Sequence, residues 1–260
     1  MGEFEGRNVV VTGGAGGIGE ACARDFAAEG AKVFILDRSD EVLSRAMDGL
    51  TGDVTPMTVD VTDRKALETV FADIATLGGT DVLITTAAIV KPSPILDFDV
   101  DDWNNILDVN LTGTFHCCQL AGRQMVEKGQ GRIITVSSVN GQIANTGRGA
   151  YSCTKGGVDV LTKLLASELG DKGITANAVA PTPVDTPMIK QVHGPKDREI
   201  WNQQIPAMRY AQPEEVSAAI KFLASDAAAY INGHILNIDG GFMASGIILR
   251  EKKGTRLERP

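Results

Sequence analysis

The sequence is short of several residue types, and each shortage removes a class of function. Its three histidines (His116, His193, His234) are scattered, none at metal-ligand spacing from a cysteine. The four cysteines (Cys22, Cys117, Cys118, Cys153) form no C-x-x-C pair. No metal site is expected, and free thiols in a reducing cytoplasm are. No apolar run approaches the roughly 20 residues that cross a bilayer. The opening "MGEFEGRNVVVTGG" has acids and no apolar h-region, so no secretory signal is expected. Lys and Arg total 25 against 33 Asp and Glu, a formal charge of -8, which argues against nucleic-acid or membrane partners. No G-x-S-x-G elbow points to a serine hydrolase. No G-K-[ST] follows the glycine-rich loop, which argues against P-loop phosphoryl transfer.

What is present is a core. Of 260 residues, 43% are hydrophobic and 22% charged, ordinary proportions for a globular protein. Short β-rich runs at 8–12, 32–36, 55–59, 81–85, 131–136, 174–180 and 234–239 alternate with helical patterns at 17–29, 40–49, 63–77, 101–127, 150–170 and 213–224. Several strands are nearly all apolar, as parallel strands buried on both faces are. The alternation predicts an α/β fold with a parallel sheet of about seven strands and helices on both faces. One domain is expected over residues 1–248, followed by a charged tail at 249–260. Residues 181–212 hold five prolines and no clean strand, and are expected to form a lid or substrate loop.

"VVVTGGAGGIGEACARDFAAEGAKVFILDR" carries the most specific early signal. Gly14, Gly16 and Gly19 fit G-x-G-x-x-G; Gly13, Gly17 and Gly19 fit T-G-x-x-x-G-x-G. The run follows a strand and opens a helix, whose free N–H groups and dipole suit a pyrophosphate. This makes the sheet a Rossmann-like, doubly wound one. Asp37 ends the next strand, at the spacing where a carboxylate bonds the adenosine ribose. NAD is therefore expected over NADP, although Arg38 beside it is able to grip a 2′-phosphate. Asp60 follows the third strand; either a cofactor contact or a local cap suits it.

The glycine pattern from Thr12 to Gly19, "DVN" (108–110), "VSS" (136–138), "YSCTK" (151–155) and the ending "YINGHILNIDGG" (230–241) together resemble the short-chain dehydrogenase/reductase family. The resemblance covers nearly the whole chain except the tail. It implies an NAD-dependent oxidoreductase acting on CH–OH groups, with Ser138, Tyr151, Lys155 and Asn110 as the catalytic set. Tyr151 would be the general base or acid, its pKa lowered by Lys155. Lys155 would also hold the nicotinamide ribose. Ser138 would bond the substrate oxygen, and Asn110 would position a water linking Lys155 to solvent. The same resemblance assigns cofactor contacts to Ile18, Val61, Ala87, Pro181, Val184 and Thr186, and implies a homotetramer or homodimer.

Two stretches depart from the family. "TTAA" (85–88) stands where Asn-Asn-Ala-Gly is usual; Thr85 is expected to bond locally, and Ala88 adopts positive φ less cheaply than glycine. In "APTPVDTPM" Thr182 replaces a glycine after Pro181, and Pro183 stiffens the loop. The loop between Ser138 and Tyr151 offers Asn140, Gln142, Asn145 and Arg148, a polar set that suits a sugar, polyol or hydroxy acid. Arg148 is able to pair with a carboxylate, sulfonate or phosphate, or to lie on the surface. Thr182 and Met188 complete the candidate substrate contacts, and His193, Trp201, Gln204 and Met243 are placed to close over them. A non-catalytic NAD-binding sensor or scaffold is the alternative, though such a protein is expected to lose Tyr151 or Lys155. Enoyl reductases of the family space the tyrosine and lysine more widely, so carbon–carbon reduction is disfavoured.

Overall fold

A computed structural model describes residues 2–246. The expected tail at 249–260 and the last two residues of the expected domain lie outside them. Seven parallel strands form one sheet in the order β3-β2-β1-β4-β5-β6-β7. They are β1 (Asn8–Thr12), β2 (Lys32–Asp37), β3 (Val54–Thr58), β4 (Val82–Thr85), β5 (Gly131–Val136), β6 (Ile174–Pro181) and β7 (Ile235–Ile238).

The apolar runs explain the two-sided burial. Val9 and Val11 of β1 join Val33, Ile35, Ile84 and Ile134 in a core on one face. Val10 joins Phe34, Leu36, Leu83 and Ile133 in a core on the other. Successive side chains alternate across a strand, so every position of β1 is buried on one face or the other. The first core packs under α1 (Gly17–Ala28), α2 (Asp40–Met47) and, further on, Val216, Ile220 and Leu223. The second packs under α3 (Arg64–Thr76) and the long helical segment before β5. Pro56 is tolerated because β3 is an edge strand.

The pattern at 101–127 is not one helix. α4 (Val100–Leu107) passes through a π-helical turn (Asp108–Thr112) into α5 (Gly113–Lys128). Asn110 lies in the turn, fully buried. Such turns mark places where a helix is bent to a purpose.

α6 (Gly149–Leu169) packs against β6 and α4. The proline-rich 181–212 also differs from a plain loop. Pro187 is the first residue of α7 (Pro187–Val192), capped by Thr186, and Pro195 the first of α8 (Pro195–Gln204). Proline at the first helical position loses no hydrogen bond, so prolines that break patterns in sequence here begin helices. α9 (Pro213–Ala224) also begins on a proline and packs against α1.

Candidate functional site

The strand order reverses direction of growth between β1 and β4, and parallel sheets bind ligands outside the strand ends at such a point. A cleft of about 260 Å³ opens there. Gly13, Gly16, Gly17 and Ile18 line one end, and Ser138, Tyr151, Lys155 and Arg148 the other.

The glycine end is a cradle. A Cβ on Gly16 would meet nothing nearer than the Gly13 carbonyl at 3.7 Å. A Cβ on Gly17 would instead lie 2.5 Å from Thr186 Cγ2, and Gly17 has φ +25. The loop after β6 thus rests directly on the glycine turn. The N-cap of α1 is Gly16, which has no side chain to cap with, whereas Ser39, Asp63, Asp99 and Thr186 cap their helices. Uncapped N–H groups facing an open cradle suit a dinucleotide's phosphates. Gly19 lies inside α1, pressed toward the Gly13 carbonyl, and does not line the cleft.

Asp37 lines the cleft, and its Oδ1 accepts from the Arg38 amide at 2.8 Å. Arg38 is exposed and makes no ion pair among the described residues. Asp60 and Val61 do not line the cleft. Asp60 accepts from the Thr62 amide and hydroxyl at 2.8 and 2.7 Å, closing its own turn, while Asp63 caps α3. Val61 is buried against Gly113.

Thr85 does not bond locally as expected: its buried hydroxyl has no partner among the described residues. Thr86 takes that work, donating to the Thr12 carbonyl at 2.7 Å. Ala88 needs no glycine, because the sole non-glycine residue with positive φ among those described is Met208. Ala87, Pro181, Thr182, Val184, Thr186 and Met188 all line the cleft.

At the other end, α6 presents Tyr151 and Lys155 one turn apart. Lys155 is 3% exposed. Its Nζ donates to the Val136 carbonyl at 2.7 Å and lies 5.6 Å from the Tyr151 ring centroid. Burial pulls its pKa from 10.5 down to about 8, against the opposing pull of Asp159. Gly141 lets the turn after Ser138 approach α6 here; a Cβ would lie 2.7 Å from the Lys155 carbonyl carbon.

Ser138 Oγ accepts from the Asn140 amide at 3.2 Å and donates to the Pro181 carbonyl at 3.4 Å. Burial pushes the Tyr151 phenol up, with a Ser138 hydrogen bond and the Arg148 charge pulling the other way. The expected downward shift from Lys155 is therefore not what the structure gives. Desolvation outweighs the charges, and the ammonium points at a strand carbonyl.

Asn110 is near but not in the cleft lining. Its amide accepts from Ile89 N at 2.8 Å and donates to Ile89 O at 2.9 Å and Thr154 Oγ1 at 3.3 Å. Both of its donors are committed, so the side chain ties the segment after β4 to α6.

The polar loop is only partly in the site. Asn140 and Arg148 line the cleft. Gln142 turns away to Asn237 Oδ1 at 2.6 Å, and Asn145 donates to Asn140. His193 and Trp201 line the cleft, while Gln204 and Met243 line a neighbouring hollow. The lining also includes Val90, two residues past "TTAA", and Ser137, which lies inside "VSS".

A family model described as enoyl-(acyl carrier protein) reductase matches residues 13–243. The 3-oxoacyl-[acyl-carrier-protein] reductase FabG of Thermotoga maritima is 38% identical over 244 residues, covering 92% of this chain and 99% of that protein. Galactitol 2-dehydrogenase (L-tagatose-forming) of Cereibacter sphaeroides is 37% identical, covering 92% and 96%. The crystal structure of a gluconate 5-dehydrogenase from Burkholderia cenocepacia in complex with NADP and tartrate superposes with a TM-score of 0.88, at 32% identity over 94% of this chain and 98% of that one. That complex overturns the expectation of NAD over NADP. The physical reason lies beside Asp37: its carboxylate is partly committed to the Arg38 amide, and the Arg38 guanidinium has no ion-pair partner among the described residues.

Proposed function

The chain belongs to the short-chain dehydrogenase/reductase family, and from that premise we propose that it moves a hydride between NADP(H) and the carbinol or carbonyl carbon of a small polar secondary alcohol or ketone. It is an oxidoreductase of CH–OH and C=O groups. The observation that carries the proposal is the convergence of Tyr151, Ser138 and Lys155 on the cleft that begins at the uncapped glycine turn.

The glycine turn and the N-terminus of α1 would hold the cofactor's phosphates, and Arg38 the 2′-phosphate. The cofactor supplies or accepts the hydride. Tyr151 exchanges the proton with the substrate oxygen. Its phenol, kept protonated by burial, is suited to giving that proton to a carbonyl under reduction. Ser138 bonds the same oxygen as charge develops there. Lys155 holds a positive charge beside the Tyr151 ring, and its ammonium would be the group to hold the cofactor's ribose. Asn110 braces the segment after β4 on which that pocket rests.

The small polar substrate is favoured by Asn140, Thr182 and Arg148 around the cleft. The same reading places the enzyme in a reducing cytoplasm, with its four free cysteines. It also assembles the enzyme through the exposed Phe115, Val160 and Leu164 of α5 and α6. Among the described residues no helix is long and apolar enough to cross a membrane. The test is turnover of NADP(H), read by absorbance, with sugars, polyols, hydroxy acids and 3-oxoacyl thioesters. Tyr151→Phe should abolish turnover and leave NADP(H) affinity nearly unchanged. Retention of most activity would remove Tyr151 as the proton carrier. Tight cofactor binding without turnover of any compound would make the protein a sensor.

A further inference from the structure

Arg148 is a partly buried guanidinium that lines the cleft three residues before Tyr151. No carboxylate lies within ion-pair distance of it among the described residues. Its Nη2 meets Nε2 of His193, and His193 Nδ1 lies 2.8 Å from Tyr210 Oη. Guanidinium has no acceptor, so this contact needs a neutral imidazole with its proton on Nδ1, donated to Tyr210. Trp201 stacks on the ring, centroids 6.4 Å apart and planes 17° from parallel.

The charged groups around this pair already have partners. From α8, Arg198 pairs with Asp185 at 2.9 Å and lies 4.4 Å over the Tyr210 ring. Asp197, also of α8, accepts from the Gly194 amide at 2.9 Å. From α6, Tyr151 lies close enough to bias Arg148 and stays neutral. Arg148 is thus a cation in the substrate end of the cleft with a neutral base, not an anion, against it. Asp197 acts on Arg148 only from beyond ion-pair distance, so the desolvated cation lacks a contacting counter-charge, and an anionic ligand would supply one.

We propose that Arg148 and His193 form an anion subsite that holds the carboxylate of a hydroxy- or oxo-acid substrate, with His193 gaining a proton as the carboxylate binds. The inference rests on the oxidoreductase reading above and names its substrate class. The planar fork of Arg148 matches a carboxylate, and the protonated imidazole adds a second charged donor.

The proton gain fixes a pH dependence. Burial and then the Arg148 charge hold the free His193 below its ordinary value of 6.5, with Asp197 opposing and Arg198 assisting. A bound carboxylate raises it. Anion affinity is therefore highest below the free-state pKa and falls about tenfold per pH unit until the bound-state pKa is passed.

The test uses the full chain and malonate, which has no hydroxyl to oxidise. Trp201 reports binding by fluorescence, while the second tryptophan, Trp103, packs on Phe98 instead. Titrations run from about pH 5.5 to about pH 8.5, where imidazole titrates. Malonate should change the emission and bind more weakly as pH rises. His193→Gln should flatten that dependence. Arg148→Gln should weaken binding about ten- to hundredfold, and Arg148→Lys should restore part of it. Should Arg148→Gln misfold, the wild-type and His193→Gln curves decide. Unchanged emission, a pH-independent affinity, or tighter binding of inorganic phosphate than of malonate would overturn the proposal.

Turnover separates the two readings. With NADP⁺, Arg148→Gln should raise KM for gluconate by about tenfold more than KM for glucitol, its uncharged counterpart. An equal rise in both would make Arg148 structural. No NADPH from either substrate in the wild type would remove the sugar-acid reaction, while the malonate titration still judges the subsite.

Discussion

Replacing Lys155 by Met should stabilise the protein near neutral pH and destabilise it in alkali. The ammonium is 3% exposed, and burial takes its pKa from 10.5 to about 8. A fall of about 2.5 in pKa, at about 1.4 kcal/mol each, is a folding penalty of about 3 kcal/mol while the group is charged. The sign follows from proton counting. Between about pH 8 and about pH 10.5 the unfolded lysine binds more protons than the folded one, so wild-type stability gains as pH rises. Below about pH 8 the full penalty stands. Methionine keeps most of the volume and removes the charge, but leaves the Val136 carbonyl without its 2.7 Å bond, a loss of about 1–2 kcal/mol. Lys155→Met should therefore be ahead by about 1–2 kcal/mol at pH 7 and behind by a similar amount above about pH 10.5. Urea midpoints at several pH values measure this. Only the difference between the two proteins should be read. The thiols of Cys22 and Cys117, pushed by burial to about 12, lower the stability of both alike in alkali. Parallel curves for the two proteins would refute the account of Lys155 as a buried cation.

Gly17→Ala should weaken NADP(H) binding and lower Tm, because its methyl meets Thr186 Cγ2 at 2.5 Å and its backbone has φ +25. Overpacking of this kind loses about 1–3 kcal/mol, and adding Thr186→Ser should recover part of it; no recovery in a thermal melt of the double variant would locate the strain elsewhere. Arg38→Ala should weaken NADP affinity about tenfold or more while changing NAD affinity little, measured by equilibrium titration. Equal losses for both cofactors would remove Arg38 from the 2′-phosphate.

The legible parts of the molecule were those set by local rules. An apolar β1 between a glycine turn and polar flanks has one reading, and its neighbours in the sheet are fixed by the same two-faced burial. Tyr151 and Lys155 share a helix face whatever surrounds them. What escaped depends on partners far along the chain. The π-helical turn at Asn110 is bound up with Ile89, and Gln142 leaves the loop for Asn237 on another strand. Four-residue windows do not contain those partners. Thr85 and Thr86 differ by one position, which on a strand end is the difference between opposite faces; only register tells which hydroxyl finds Thr12. Asp37 misled for a similar reason. Its spacing alone predicts a ribose contact, yet the disposition of its carboxylate depends on the amide of the next residue.

Burial acts on the two helix-face residues in opposite senses, and this has a chemical consequence. Desolvation disfavours whichever form is charged, so it raises the Tyr151 phenol and lowers the Lys155 ammonium. In free solution their pKa values nearly coincide. In the cleft they separate, and lysine loses its proton first as pH rises. The ligand-free site therefore holds its most firmly bound proton on the atom that faces substrate, with Ser138 bonded to it. An acid that is retained through neutral pH is suited to meeting a carbonyl. Using the same tyrosine as a base requires positive charge to outweigh its desolvation; the Lys155 ammonium lies 5.6 Å from the ring centroid but spends a hydrogen bond on the Val136 carbonyl. Tyr151 as found therefore donates to a carbonyl oxygen directly, and accepts a proton from an alcohol only after its own has been drawn off.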